Sequence, residues 1–214
     1  NVTSCGRCLR HLLPILIKNN DQGWQTKSKL EFYVDFETVS DVCDISMIVI
    51  IGVGYSDPNT NLWKYRDFTV DELSIQEEGR ICSDFNTYIT RVLDMNNEYG
   101  EFLLFHWGNY EKVLWKNVIA RHDSDKWFDF KWMDMSSVFI NEPILVRGCL
   151  TFGLKDVAKA MYNNGMIQTT WSEDEKGPRA TLNFKCSNGM DAMVGIVLAS
   201  VDAKNNGVPL SSTP

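Results

Sequence analysis

The segment Phe-Tyr-Val-Asp-Phe-Glu-Thr at positions 32–38 constrains this 214-residue chain more than any other. Its alternation predicts a strand with apolar side chains on one face and the carboxylates of Asp35 and Glu37 on the other. Positions two apart on a strand lie about 7 Å from each other along the chain. Two hard oxygen ligands therefore point the same way, as in an Mg²⁺ or Mn²⁺ site. An ordinary solvated face of a sheet can show the same spacing.

Two further acidic residues occur at predicted helix starts. A strand predicted over Glu101 to His106 ends at a Gly-Asn turn, and the apolar spacing then predicts a helix over Tyr110 to Ala120 with Glu111 in its first turn. Asp191 opens another apolar helix, which extends to about Val201. A strand–helix–strand fold can bring both acids beside the first strand. Each also has a simpler explanation, because an acid in a first turn complements the helix dipole.

Taken together, these segments resemble those of the DEDD-type exonucleases, within the ribonuclease H-like branch that is found beside RecB-type nucleases and in large DNA viruses. The resemblance extends from about Leu30 to Val201 and follows the family's order of motifs. Its parts are Asp35-Phe36-Glu37-Thr38, His106-Trp107-Gly108-Asn109-Tyr110-Glu111, Leu154-Lys155-Asp156-Val157-Ala158 and Gly189-Met190-Asp191-Ala192.

The resemblance implies an α/β fold of the ribonuclease H type and a two-metal nuclease, most simply a 3′-to-5′ exonuclease acting on DNA or RNA. In such sites one ion activates the attacking water and the other stabilises charge on the leaving oxygen. The four carboxylates that hold two Mg²⁺ or Mn²⁺ ions in the relatives correspond here to Asp35, Glu37, Glu111 and Asp191.

One departure from the family concerns the group that activates water. DEDD exonucleases usually carry Tyr or His four or five residues before the last Asp, where this chain has Ser187 and Cys186. A serine hydroxyl does not ionise at neutral pH, and an ordinary thiol has a pKa of about 8.5. The water is then activated by metal alone, by His106 or by a group in the preceding loop, or else the site binds metal and cuts poorly. His106 also has a structural interpretation, as a partly buried histidine that closes a strand.

Candidate contacts to nucleic acid are aromatic rings and lysines near these motifs. The net charge of −7 opposes binding of a polyanion over most of the surface, although bound metal ions would reverse the sign locally. Rings could stack on a terminal base, and lysines could face phosphates. Packing in the core and solvated surface are the alternatives for these residues, which are Trp107, Tyr110, Lys112, Lys155 and Lys159.

Two other polar residues are assigned structural roles. Asp134 ends a strand predicted over Lys131 to Asp134, where relatives often have an acid, and we predict that it caps the short helix that follows. His122 lies beyond the end of the helix predicted to stop at Ala120, where a cation suits the helix dipole.

The N-terminal region carries a second candidate metal site. Cys5 and Cys8 form a Cys-x-x-Cys pair with His11 nearby, which is half of a Zn²⁺ or iron–sulfur site, although a chance pair of thiols is the alternative. The six cysteines show no framework spacing, so we predict reduced thiols and an intracellular setting, in cytoplasm or nucleus. The resemblance to a branch found in large DNA viruses also implies that the protein could be encoded by a virus.

Length and composition, with 44% hydrophobic and 12% aromatic residues, predict one core-forming domain. We predict an N-terminal extension over 1–29, a ribonuclease H-like domain over 30–203 and a C-terminal tail over 204–214. The chain begins without Met, which we interpret as a piece of a longer polypeptide with flanking domains. The longest apolar stretch, Ile45 to Val53, is too short to span a bilayer, so no membrane partner is predicted.

The predicted sheet is central, mixed and five-stranded, with helices on its sides. The strand of Asp35 and the segments 46–55 and 62–68 form an antiparallel meander, and parallel strands over 101–106 and 131–134 complete it. Helices are predicted over 71–93, 110–120, 152–162 and from about 188 to 201, and a polar loop over 169–182.

The function predicted from the sequence is therefore a metal-dependent nuclease. The alternative is a catalytically weak or inactive scaffold of the same fold, which binds nucleic acid or protein within a larger polypeptide. An enzyme requires the four carboxylates to converge, whereas a scaffold predicts scattered acids.

Overall fold

The structure is a computed structural model, and it describes residues 12–13, 28, 30–40, 45–96, 102–122, 124–168 and 189–210. Of residues 12, 13 and 189–191 it describes the backbone alone. The strands are β1 (Leu12–Leu13), β2 (Leu30–Val39), β3 (Met47–Ser56), β4 (Trp63–Thr69), β5 (Phe102–His106), β6 (Trp132–Asp134) and β7 (Leu145–Val146). The helices are α1 (Ile75–Asn96), α2 (Tyr110–Arg121), α3 (Met135–Asn141), α4 (Leu154–Asn163) and α5 (Gly189–Asn206).

Five strands form a mixed sheet in the order β4-β3-β2-β5-β6. The pairs β2–β3 and β3–β4 are antiparallel, while β2–β5 and β5–β6 are parallel. This arrangement confirms the predicted meander extended by two parallel strands, with helices on its sides, and so confirms the ribonuclease H-like fold. A second, two-stranded sheet of β1 and β7 was not predicted, because each of its strands has only two residues.

The core lies on the face of the sheet that carries the even-numbered side chains of β2. Leu30, Phe32, Val34 and Phe36 are all buried there, as their alternation with polar residues predicts. Helix α1 packs on β3 and β4, and the rings of Phe85 and Trp115 meet edge to face with centroids 5.5 Å apart. The opposite face, with the odd-numbered side chains of β2, is thereby left for the polar residues.

A buried carboxylate ties three elements together behind the sheet. Glu78 in the first turn of α1 is fully buried and accepts a hydrogen bond from the backbone N–H of Ile48 in β3 at 2.7 Å. Its other oxygen accepts from Arg121 Nη1 at the end of α2 and lies 3.0 Å from His122 Nε2. His122 lies at the end of α2, as predicted, and its contact with Glu78 holds the ring there.

Helix α5 continues beyond the predicted boundary at 203 and ends at Asn206. The residues that follow return to the domain, because the backbone N–H of Leu210 donates to the carbonyl of Asp71 at 2.8 Å and the Leu210 side chain is buried. Within the described ranges, no helix has the length and apolar character needed to cross a membrane. The thiols of Cys82 and Cys149 are free and buried.

Candidate active site

The odd-numbered face of β2 presents Asp35 and Glu37 as predicted. Asp35 keeps part of its surface exposed although neighbouring protein atoms desolvate its carboxylate, and Glu37 is half-buried. Asp35 lies directly opposite Gly52 of β3, which has no side chain to cover it. A register irregularity between Glu37 and Thr38 bends the strand just beyond the pair. The two carboxylates therefore face an open space at the middle of the sheet.

Parallel pairing of β2 with β5 places the helix start that carries the third predicted carboxylate next to β2. Strand β5 ends at His106, and Gly108 takes a positive φ of 93° in the turn that leads into α2. Glu111 follows in the first turn of α2 and is buried. Strand, turn and helix start thus place Glu111 near enough to β2 for its charge to act on Asp35 and Glu37.

Desolvation, and after it repulsion among these acids, opposes ionisation of Asp35 and Glu37 and raises their pKa values. Burial and the nearby charge of Glu111 raise the pKa of Asp35 above its ordinary value, and the Lys155 ammonium partly offsets this. Burial and the charge of Asp35 raise the pKa of Glu37 in the same way, again opposed by Lys155. Three carboxylates and one lysine of α4 therefore share one electrostatic environment.

The fourth predicted carboxylate, Asp191, lies at the start of α5, where the side chain is outside the described residues. Its helix packs against the end of β2, with Met193 close to Val39 and Ser40. Among the described side chains, no group of three or more His, Cys, Asp and Glu residues is close enough to hold a metal ion. The four-carboxylate metal site stays a prediction.

His106 lies beneath the site and does not face it. Its side chain is 1% exposed, and its Nδ1 lies 3.1 Å from Glu111 Oε2. The ring packs edge to face on Trp132, with centroids 5.3 Å apart, and the buried Nε2 has no hydrogen-bond partner among the residues that the structure describes. This geometry favours a histidine that orients the Glu111 carboxylate over one that contacts phosphate or water.

If His106 orients Glu111, His106→Phe should weaken metal binding while keeping an aromatic ring against Trp132. We expect the affinity for Mn²⁺, measured by titration calorimetry, to fall about 10–100-fold, as is typical when a group that holds a ligand is lost. His122→Phe is the matched control, because His122 also contacts a buried glutamate but lies away from the site. Equal affinities of the His106 variant and the wild type would contradict the orienting role.

The predicted capping role of Asp134 is confirmed. Its carboxylate accepts from the backbone N–H groups of Ser136 and Ser137 at the start of α3. It also accepts from the backbone N–H of Gly108 at 2.9 Å. Although burial opposes ionisation, the hydrogen bonds from Ser137 and Gly108 hold the pKa of Asp134 below its ordinary value. Asp134 therefore fixes the turn that leads to Glu111 as well as the start of α3.

Asp134→Ala should lower the free energy of unfolding by about 1–2 kcal/mol, the usual cost of losing a side-chain N-cap. Asp134→Asn keeps an oxygen that can accept the same bonds, so its loss should be smaller. Urea unfolding followed by circular dichroism measures both variants. A loss for Asp134→Asn as large as for Asp134→Ala would indicate that charge, and not the cap, is what matters.

The predicted nucleic-acid contacts divide into two groups. Trp107 is engaged in packing, since its Nε1 donates to the carbonyl of Phe152 at 2.8 Å and its ring meets that of Phe139 at 5.0 Å. Tyr110 is 49% exposed, and its hydroxyl lies 3.2 Å from Thr38 Oγ1 at the end of β2. Of the lysines, Lys112 is half-buried, whereas Lys155 and Lys159 are exposed on α4. Tyr110 therefore contacts the end of β2, and Lys155 is the lysine whose charge acts on both Asp35 and Glu37.

Several candidate residues lie outside the described part of the chain. These are Cys5, Cys8 and His11 of the N-terminal half-site and Cys186 and Ser187 at the position of the missing base. The predictions made for them stay predictions.

Comparisons with known proteins give a weak likeness. No protein-family model and no curated protein matches the chain. Among solved structures, product-bound exonuclease I is 11% identical with a TM-score of 0.44, over 82% of this chain and 44% of that one. Escherichia coli exonuclease I in complex with a dT13 oligonucleotide is 12% identical with a TM-score of 0.41, over 84% and 42%. The chain spans about two fifths of the length of these proteins. Such values assign neither a family nor an activity.

Proposed function

We propose that this protein is a two-metal nuclease of the DEDD type, most simply a 3′-to-5′ exonuclease acting on DNA or RNA. The observation that carries the proposal is the placement of Asp35 and Glu37 on one face of β2, with Glu111 at the start of α2 near enough for its charge to act on both. Repulsion of this kind destabilises a fold unless a cation relieves it. Cations bound between these carboxylates would offset that repulsion.

The chemistry of these donors fits Mg²⁺ or Mn²⁺. All are carboxylate oxygens, which such ions prefer, and Mg²⁺ needs only one or two of them from the protein because water and substrate phosphate complete its shell. In the proposal Asp35, Glu37, Glu111 and Asp191 would together hold two ions. The position of α5 against the end of β2 supports the inclusion of Asp191.

When bound, the ions would supply an activated water and stabilise charge on the leaving oxygen. The chain's own residues hold and orient the reacting groups. His106 keeps the Glu111 carboxylate in place through Nδ1. Lys155 opposes the rise in the pKa of Asp35 and Glu37 and so favours the ionised carboxylates that a cation would need.

A non-catalytic scaffold is the second candidate, and Lys155 is the observation that favours it. An ammonium that already offsets the charges of Asp35 and Glu37 reduces the need for metal. The same fold would then bind nucleic acid or protein within a longer polypeptide, and the carboxylates would have no catalytic role.

Cleavage of 5′- and 3′-labelled oligonucleotides, single-stranded and duplex, tests the proposal with Mn²⁺, Mg²⁺ or EDTA. We expect laddering that requires the metal and shortens the 5′-labelled strand one nucleotide at a time, as a 3′-to-5′ exonuclease does. Laddering that persists in EDTA would contradict a metal-dependent enzyme. Absence of cleavage by folded protein that binds Mn²⁺ in calorimetry would favour the scaffold.

A further inference from the structure

Three exposed aromatic rings lie on the open face of the sheet, next to the carboxylates. Tyr33 of β2 is 45% exposed, and Trp63 and Tyr65 of β4 are 57% and 63% exposed. All three point away from the core, on the same face as Asp35. We call these three residues the aromatic platform.

Two glycines of β3 allow the rings to lie flat across the sheet. A Cβ at Gly54 would come within 2.2 Å of Trp63 Cζ2, and one at Gly52 within 2.9 Å of the Tyr65 hydroxyl. Both rings therefore occupy the space that side chains of β3 would fill. Each lies against backbone on its inner side, which leaves its outer side open to solvent.

Tyr33 makes the surface continuous across the neighbouring strands. Its ring lies 5.7 Å from that of Trp63 and stacks on Phe105 of β5 at 5.3 Å. Its hydroxyl donates to Glu31 Oε2 at 3.1 Å, which fixes the ring's orientation. The platform is thus a preformed set of rings held by defined contacts.

The platform adjoins the site of the proposed reaction. Tyr33 and Asp35 are two residues apart on the same face of β2, about 7 Å along the strand. Burial and the charges of Asp67 and Asp35 raise the pKa of Tyr65, so this ring also lies within electrostatic reach of Asp35. A strand with one phosphate at the carboxylates would carry its next bases over the rings.

We propose that the aromatic platform binds unpaired bases of a single-stranded nucleic acid, the substrate strand of the proposed nuclease on which this inference rests. Open ring faces stack on the faces of bases, which a duplex hides and a single strand offers. Glu31 and Asp67 flank the rings, and the chain carries a net charge of −7, so phosphate attraction is weak on this face. Recognition through bases is what the surface provides.

Fluorescence anisotropy with a labelled oligothymidine of about 12 nucleotides tests the inference, with EDTA present to prevent cleavage. Trp63→Ala and Tyr65→Ala should each weaken binding about tenfold, the effect of losing one stacked ring. Trp63→Phe should restore most of the affinity. Gly54→Ala should weaken binding while Trp63 is still present, because the added Cβ displaces the ring.

The controls separate stacking from other causes. Met95→Ala removes an exposed apolar side chain of α1, which packs on the other face of the sheet, and should leave affinity unchanged. An oligonucleotide of the same length with abasic sites should bind weakly to the wild type and equally weakly to Trp63→Ala. Equal binding of abasic and normal strands by the wild type would overturn the inference, as would ring variants that bind like the wild type.

Two outcomes distinguish this inference from the proposed function. Ring variants that bind unchanged, in a protein whose wild type cleaves with Mn²⁺, would reject the platform and leave the nuclease intact. Ring-dependent binding without any cleavage would reject the nuclease. Two further results would overturn the inference: a wild type that binds no oligonucleotide, and ring variants whose Tm falls sharply. Either would indicate that a protein partner or another part of the chain covers the aromatic platform.

Discussion

Replacing Asp35 by Asn and Glu37 by Gln should lower the rate of metal-dependent cleavage at least about 10³-fold. Bound metal ions contribute several kcal/mol of transition-state stabilisation, and each 1.36 kcal/mol changes the rate about tenfold. The exchanges keep the size of both side chains and remove the charges that would hold the cations. Single-turnover cleavage of a labelled oligonucleotide at saturating Mn²⁺ measures the effect.

Asp84→Asn is the matched control for this experiment. It neutralises an exposed carboxylate of α1 that pairs with Arg80, away from the candidate site. We expect the control to cleave like the wild type. An equal loss of cleavage in the control and in the double variant would indicate a general effect of charge. A double variant that cleaves as fast as the wild type would show that Asp35 and Glu37 take no part in the reaction.

The double variant should also be more stable than the wild type when metal is absent. Burial and the charge of Glu111 raise the pKa of Asp35, and burial and the charge of Asp35 raise that of Glu37, so the folded state binds protons more tightly than the unfolded chain. The resulting stability is fully present below the ordinary pKa values of 3.8 and 4.5 and is lost as pH rises through the higher folded values.

A series of Tm measurements between acid and neutral pH checks this sign. The difference between variant and wild type should be present at neutral pH and should vanish below those ordinary pKa values. Solvent screening at the exposed Asp35 keeps the difference small. A wild type that gained stability relative to the variant as pH rose, in EDTA, would contradict the repulsion between the acids.

Glu78→Ala should lower the free energy of unfolding by about 3–5 kcal/mol, the usual cost of breaking a buried ion pair. The change leaves the Arg121 guanidinium without its carboxylate and the backbone N–H of Ile48 without an acceptor. For a domain of this size, Tm should fall by about 6–20 °C. Thermal unfolding followed by circular dichroism measures the shift.

Glu77→Ala provides a closely matched control, because Glu77 is the preceding residue of the same helical turn. Its carboxylate pairs with Arg80 and accepts from the backbone N–H of Asp71 at 2.7 Å, but it is 18% exposed where Glu78 is fully buried, so its removal should cost about 1–2 kcal/mol. Cleavage per folded molecule should be unchanged in both variants, since Glu78 contacts the far end of α2 and not the start that carries Glu111. Similar losses for both glutamates would contradict the importance of burial.

The local part of this structure could be predicted from the sequence because it depends on neighbouring residues. Alternation over β2 predicts which side chains enter the core and which carry the carboxylates, and the sheet bears this out. The cap by Asp134 follows from its place between a strand and a short helix. The turn before α2 likewise positions Glu111 at a helix start.

Contacts between residues far apart in the sequence are decided by the tertiary structure alone. The partners of Glu78 lie 30 to 44 residues away. His106 and Glu111 are only five residues apart, but the burial of their pairing still depends on how α2 packs against the sheet. The aromatic platform requires Gly52 and Gly54 to pair opposite β4, and spacing within one strand carries no information about its neighbour's register. Strand alternation and helix starts are short-range properties of the chain, whereas burial, repulsion among acids and stacking of rings arise only when packing brings separate elements together.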